Sequence, residues 1–263
     1  MTTSGVASGG SIAMQDAIAV NYLVLSYRIT FVIGLGCVAV AKFLLPEFLQ
    51  YGKTLLPSDG PHIKSRLRVI YCTVPKVWFA HFYYLSTTLS LVNVYLYYKS
   101  PIVWLVAFHS IRRLYETKVI CKYSSSSRMN WSHYVVGIWF YTVLNIIIGL
   151  KHYERKVVYS LKPFSFLIFS LASWDQHNNH RTLSKLVKYS LPTEGLFRWV
   201  CCPHYFDEVL IYASLATYNL EFCWLLLWAF VNLSVSALEN KKYYLVRFPK
   251  AQVPQYAIVP FIL

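Results

Sequence analysis

Charge is scarce in this chain. Only 14% of its residues are Asp, Glu, Lys or Arg, where a soluble domain carries about 25%. Acids are scarcer still, 11 against 25 Lys and Arg, while 56% of the residues are hydrophobic. That balance excludes an ordinary soluble domain. Paired cysteines are also missing: Cys37, Cys72, Cys121, Cys201, Cys202 and Cys223 contain no C-x-x-C spacing. Neither a zinc site nor a disulfide framework is expected, and no metal is assigned; the cysteines read as small apolar residues. Residues 1–20 lack a basic start followed by an apolar core, so no cleavable signal peptide is expected, and the first apolar helix serves as an uncleaved anchor. No internal repeat is found. The chain reads as one membrane domain over 1–263, with a flexible small-residue tail at 1–20 and a flexible serine run at Ser124 to Ser127.

What is present is a series of apolar stretches at roughly 21–46, 76–98, 101–111, 134–150, 157–173, 207–220 and 222–238. Most approach the ~20 residues a spanning helix needs. The fold class is therefore all-α: a polytopic membrane protein of about seven transmembrane helices. The formal charge of +14 does not point to nucleic acid, because the cations fall between apolar stretches rather than on one face. With an outside amino terminus, one side gathers Lys53 to Lys76, then Arg112, Arg113, Lys118, Lys122 and Arg128, then Arg181 to Arg198, and finally Lys241 to Lys250. This satisfies the positive-inside rule with a cytosolic carboxyl terminus. The clusters have two readings, as anchors against anionic lipid or as part of a pocket for an anionic cofactor. A loop runs from Leu56 to Pro61. The sequons at Asn130 and Asn232 fall in the cytosol and inside a helix, so neither is expected to carry glycan.

Several strings could carry chemistry. Gly34-Leu35-Gly36-Cys37-Val38-Ala39 fits GxGxxA but lies inside an apolar helix, without the strand and turn of a dinucleotide fingerprint; small residues for close helix packing is the preferred reading. Across 174–188, amides, imidazoles and cations end an apolar helix, and Gln176 and His180 share a face at i, i+4. Such a face could hold a ribose or phosphate, or could be a solvated helix end. At 109–116, Arg112 and Glu116 can pair, beside His109, Arg113 and Tyr115. His81 lies one turn inside the second apolar run, where an interhelical hydrogen bond and a catalytic role are both open. From Tyr189 to Tyr212 a polar block feeds His204, Asp207 and Glu208 directly into an apolar helix, and ionisable groups there are functional candidates by default. Most of the 22 tyrosines are interfacial; Tyr189, Tyr205, Tyr212 and Tyr244 stand out because they flank this block or the basic tail.

Leu191-Pro192-x-x-Gly195-Leu196-Phe197, Pro203-His204-Tyr205-Phe206-x-Glu208 and the ending Ala257-Ile258-Val259-Pro260-Phe261-Ile262-Leu263 resemble the steroid 5-alpha-reductase family. Trp78-Phe79-Ala80-His81-Phe82-Tyr83 and His109-Ser110-x-Arg112-Arg113-x-x-Glu116 look like its polyprenal reductase branch, as a fungal member. The resemblance covers roughly 76–263. It implies a multi-pass enzyme of the endoplasmic reticulum membrane that uses NADPH to saturate the alpha-isoprene double bond of a long-chain polyprenal, giving dolichal in dolichol synthesis for protein N-glycosylation. The partners it implies are the lipid substrate and the surrounding membrane lipid.

By position, the resemblance places Gln176, His180, Tyr189, His204, Tyr205, Glu208 and Tyr244 around the cofactor, with Arg113 and Lys241 as phosphate partners. Two departures bear on the phosphates. The family's arginine before the Leu-Pro pair is Ser190 here, and another is Val187, with Lys188 as the neighbouring cation. A third concerns the carbonyl: the steroid branch uses a glutamate on the second helix and a tyrosine on the third, but 76–98 contains no acid and the third-helix position is Ser110. The candidates for polarising the carbonyl are His81, His109 and Tyr115, in that order. A related enoyl or sterol reductase, and a non-catalytic lipid-binding membrane protein, remain alternatives at this point.

Overall fold

The computed structural model describes residues 5–49, 72–155, 159–186 and 190–263. Lys188, Tyr189, the basic residues Lys53, Lys64, Arg66 and Arg68, and the loop from Leu56 to Pro61 lie outside the described residues. Among the described residues there are seven α-helices: α1 (Gly5–Phe43), α2 (Phe79–Tyr97), α3 (Pro101–Tyr115), α4 (Trp131–Arg155), α5 (Pro163–Lys185), α6 (Pro203–Ala216) and α7 (Phe222–Arg247). Pro101, Pro163 and Pro203 each open a helix, where a missing N–H costs nothing and the fixed φ is already helical. Three helical segments, Gln15–Phe43, Trp131–Glu154 and Phe222–Arg247, are long and apolar enough to cross a membrane by length and composition.

The boundaries differ from those read in the sequence in three places. The first helix begins at Gly5, within the segment expected to be a flexible tail. The fifth continues to Lys185, past the apolar stretch that ends at 173, and Gln176, Asn179 and His180 are buried and hydrogen-bonded rather than solvated. The third sequence-level surprise is a small antiparallel sheet of β1 (Thr73–Pro75) and β2 (Arg128–Asn130), with Val74 opposite Met129. It ties the entry of α2 to the entry of α4. The Asn130 side chain then accepts the Ser132 N–H at 3.0 Å, which serves one of the unpaired donors at the start of α4.

The bundle packs α2 against α3 and α4, α5 against α6, α6 against α7, and α1 against α7 and α4. Phe31 is fully buried among Trp139, Trp224 and Trp228, with ring centroids 4.8 to 6.4 Å away. A Cβ at Gly34 would stand 2.7 Å from the Trp228 ring, so Gly34 permits the close approach of α1 and α7; Gly36 faces open space. Between α2, α3 and α4, polar side chains satisfy one another. Asn93 Nδ2 donates to Asn145 O at 2.9 Å, Asn145 Nδ2 to Ser86 Oγ at 3.2 Å, and Ser86 and Ser110 share a bond of 2.7 Å. In apolar surroundings such bonds fix which helix faces meet.

The last stretch of chain folds back on the loop ahead of α6. Cys201 N donates to Tyr256 O at 2.9 Å and Cys202 N to Ala257 O at 3.0 Å. With Ala237, Tyr244 and Ile258 these residues form a second, smaller core. The start of α6 is thereby held in place before its polar residues are considered.

Candidate active site

Two helices, α3 and α5, converge on one buried carboxylate. Glu116 opens a short π-helical turn, Glu116–Ile120, that follows α3, and its side chain is 0% exposed. Arg112 Nη1 and Arg113 Nη1 donate to its two oxygens, each at 2.6 Å. From α5, His177 and His180 present Nδ1 to the same oxygens at 3.0 and 2.8 Å. Burial alone would raise the carboxyl, but His180, Arg113 and Arg112 outweigh it and hold the group well below the usual carboxylate range. A buried charge satisfied this fully is stable in place and costly to orphan.

Gln176 carries the network from α3 to α6. Its Oε1 accepts from Arg112 Nη2 at 2.6 Å, and its Nε2 donates to Glu208 Oε2 at 2.5 Å and to the His204 carbonyl at 3.0 Å. Donors on one side and acceptors on the other leave the amide a single orientation. His109 is 1% exposed and sits behind Glu208, Nε2 to Oε1 at 3.4 Å, while Arg112 Nη2 donates to its Nδ1 at 3.3 Å. An accepting Nδ1 puts the ring proton on Nε2, facing the carboxylate. Arg113 also reaches α2: its Nη2 donates to the Tyr83 hydroxyl at 2.8 Å, and its guanidinium carbon lies 4.9 Å from that ring's centroid.

These groups line one end of a cavity of about 730 Å³. The polar end is formed by Tyr83, Arg113, Tyr141, Gln176, His180, His204, Tyr205, Glu208 and Tyr212. Away from it the walls are mostly apolar, with Ile33 and Val40 from α1, Phe79 and Phe82 from α2, Val136 and Phe140 from α4, and Trp228 and Leu233 from α7, interrupted by Ser132, His133, Asn232 and Ser236. A Cβ at Gly137 would come 2.6 Å from the Phe82 ring, so this wall is already closed to van der Waals contact. The shape suits an extended apolar molecule with one reactive polar end.

The structure brings together Arg113, Gln176, His180, His204, Tyr205 and Glu208 from the sequence-derived set. It places others elsewhere. His81 is exposed outside the cavity, stacked on Trp78 with its Nδ1 3.1 Å from the Tyr134 hydroxyl. Tyr115 is 52% exposed and also outside. Each stands two residues from a cavity residue, Tyr83 and Arg113, and two residues are about 200° around a helix, which puts it on the opposite face. His109 lies behind the lining, not in it. Lys241 donates to Gln255 O at 2.5 Å and Tyr244 packs in the smaller core, so neither lines the cavity. Sequence reasoning passed over Tyr83 and Tyr141 and gave Tyr212 no role; the signal for Tyr212 was its i, i+4 spacing from Glu208 on α6.

Residues 127–263 match the family described as 3-oxo-5-alpha-steroid 4-dehydrogenase. The chain is 52% identical over 244 residues to the polyprenal reductase of Saccharomyces cerevisiae, covering 92% of this chain and 96% of the yeast protein. It is 27% identical to the polyprenal reductase of Caenorhabditis elegans over 84% of this chain and 88% of that protein. Against polyprenal reductase 1 of Oryza sativa subsp. indica the identity is 26%, over 83% and 88%.

Proposed function

The chain belongs to the steroid 5-alpha-reductase family, and from that premise we propose that it reduces the alpha-isoprene double bond of a polyprenal, giving dolichal for dolichol synthesis. The observation that carries this reading is the cavity, whose lining is mostly apolar and joins the polar group of Arg113, Gln176, His204 and Glu208. A polyprenal has the same division: a long hydrocarbon chain ending in a conjugated aldehyde. Its conjugation lets hydride add at the beta carbon while negative charge moves to the carbonyl oxygen, where a donor stabilises it; a proton then goes to the alpha carbon.

We assign NADPH as the reductant, which supplies the hydride when bound. The residues suit it: the amide of Gln176, the carboxylate of Glu208 and the imidazole of His204 offer partners for a carboxamide and for ribose hydroxyls. His180 and Tyr205 border them in the lining. Arg113 is engaged by Glu116 and Tyr83 through its two terminal nitrogens, so its part is to brace the polar end. Lys188, Tyr189, Lys241 and Tyr244 complete the proposed contacts by sequence position, with the lysines meeting phosphate.

The protein is a multi-pass membrane enzyme in this reading, with all seven helices crossing and the carboxyl terminus cytosolic. We place it in the endoplasmic reticulum. The polar ends of α3 and α5 then share the cytosolic side with the basic clusters and with the start of α6, where a soluble cofactor can enter. Purified protein given NADPH and polyprenal should form dolichal. No turnover of polyprenal, with steroid enones reduced instead, overturns the assignment.

A further inference from the structure

Two sequence candidates for the carbonyl donor lie outside the cavity and the third lies behind its lining, so the donor is sought among the groups that line it. Tyr212 meets the requirements. It is 1% exposed, lines the cavity, and its hydroxyl has no well-formed hydrogen bond among the described residues. A buried hydroxyl left unpaired costs on the order of 1–3 kcal/mol, so its persistence at a cavity wall calls for a partner that arrives with a ligand. Tyr212 stands one helical turn beyond Glu208 on the same face of α6, toward the apolar stretch and away from the proposed cofactor contacts.

The surroundings of Tyr212 are ordered. The Tyr141 hydroxyl stands beside it and beside that of Tyr83, and the Tyr83 oxygen accepts from Arg113. The Arg113 charge held at Tyr83 adds a favourable field for negative charge that develops near these hydroxyls.

Resting on the polyprenal reading, we propose that the Tyr212 hydroxyl donates a hydrogen bond to the aldehyde oxygen of the substrate, with Tyr141, Tyr83 and Arg113 as the positioning row behind it. In the step it serves, the nicotinamide reductant delivers a hydride to the beta carbon. The former carbon–carbon π pair becomes the alpha-carbon to carbonyl-carbon double bond, and the C=O π pair moves to oxygen. The resulting enolate oxygen is held by Tyr212 until the alpha carbon takes one proton from solvent. The net change is one NADPH and one proton consumed per enal reduced.

Tyr212→Phe removes the hydroxyl and keeps the ring. Loss of one such donor typically lowers kcat by about 10²–10³-fold, here with KM for polyprenal and NADPH binding by protein fluorescence close to wild type. A second readout does not depend on turnover: citronellal labelled with carbon-13 at the carbonyl, a short saturated aldehyde that cannot be reduced at the missing double bond, is bound and its C=O stretch recorded by difference infrared spectroscopy. The stretch should lie at lower frequency in wild type than in Tyr212→Phe, with Tyr83→Phe between them. Equal frequencies, or full kcat in Tyr212→Phe while wild type reduces polyprenal, overturn the Tyr212 assignment alone. A wild type that binds NADPH but reduces no polyprenal overturns the functional reading, and this proposal with it. If Tyr212→Phe does not fold, the infrared comparison of Tyr83→Phe with wild type decides, and an unchanged stretch counts against the row.

Discussion

The three helical segments that qualify as membrane spans by length and apolarity, in α1, α4 and α7, differ from the other four helices in what they carry. The segments from α1, α4 and α7 present exposed Leu, Ile and Val to the outside and apolar wall to the cavity. The ends of α3, α5 and α6 carry Arg112, Arg113, Gln176, His180, His204 and Glu208, and α3 and α6, at 15 and 14 residues, are also too short to qualify. The helices that do not qualify are therefore the informative ones. They keep their place because their polar groups answer one another across helix ends, through Glu116 and Gln176, instead of facing lipid.

The comparison breaks first at Glu116. Glu116→Ala orphans two guanidinium groups in the interior and should cost about 3–5 kcal/mol, read as a large fall in the thermal midpoint of the detergent-solubilised protein. A change within scatter would mean that the polar helices do not depend on their shared carboxylate. Acid should mimic part of this. The folded carboxyl is depressed, so its contribution is present above the ordinary carboxylate range and is lost as pH falls below it.

Glu208→Gln and His204→Ala act on function rather than on the bundle. Each should lower polyprenal turnover by about 10²-fold, the equivalent of ~3 kcal/mol for a lost charge-assisted contact, with insertion unchanged on membrane fractionation. Near-normal turnover in either would remove that residue from the cofactor site. On the apolar side, Gly137→Ala drives a methyl into the Phe82 ring and should cost about 1–3 kcal/mol, with a raised KM for long polyprenal as the wall moves. An unaffected KM would sharpen the comparison by excluding that wall from the lipid path. The smallest effect is none: Asn130 is buried and Asn232 lies within α7 on the cavity wall, so deglycosylation should leave the mobility of the protein unchanged.

The helices were legible because apolar runs of the required length are a strong one-dimensional signal. The surroundings of the helix ends were less so: the polar end of α5 reads equally as a solvated helix end or a binding face until α6 is there to bury it. Gln176, His204 and Glu208 were legible through ordered motifs, as was the Arg112–Glu116 pair through its spacing. Arg113 also lies within local reach of Glu116 at i, i+3, but that Glu116 binds His177 and His180 depends on α3 and α5 meeting, which no local spacing encodes. The same is true of Tyr83 and Tyr141. Among 22 tyrosines they differ from interfacial ones only by what faces them in three dimensions, and His81 and Tyr115 stand two residues of helical phase from the cavity residues Tyr83 and Arg113.

One helix carries both Glu208 and Tyr212. A full turn advances about 5.4 Å, so the distance from the proposed cofactor contact to the proposed carbonyl contact is set by helix pitch, as a ruler sets it, and not by any loop. Lengthening or shortening the loop ahead of α6 would slide both marks together and change where the site sits, but not its gauge. Variation among relatives in that loop is therefore free to tune entry of the cofactor while the spacing between the two reacting partners stays constant.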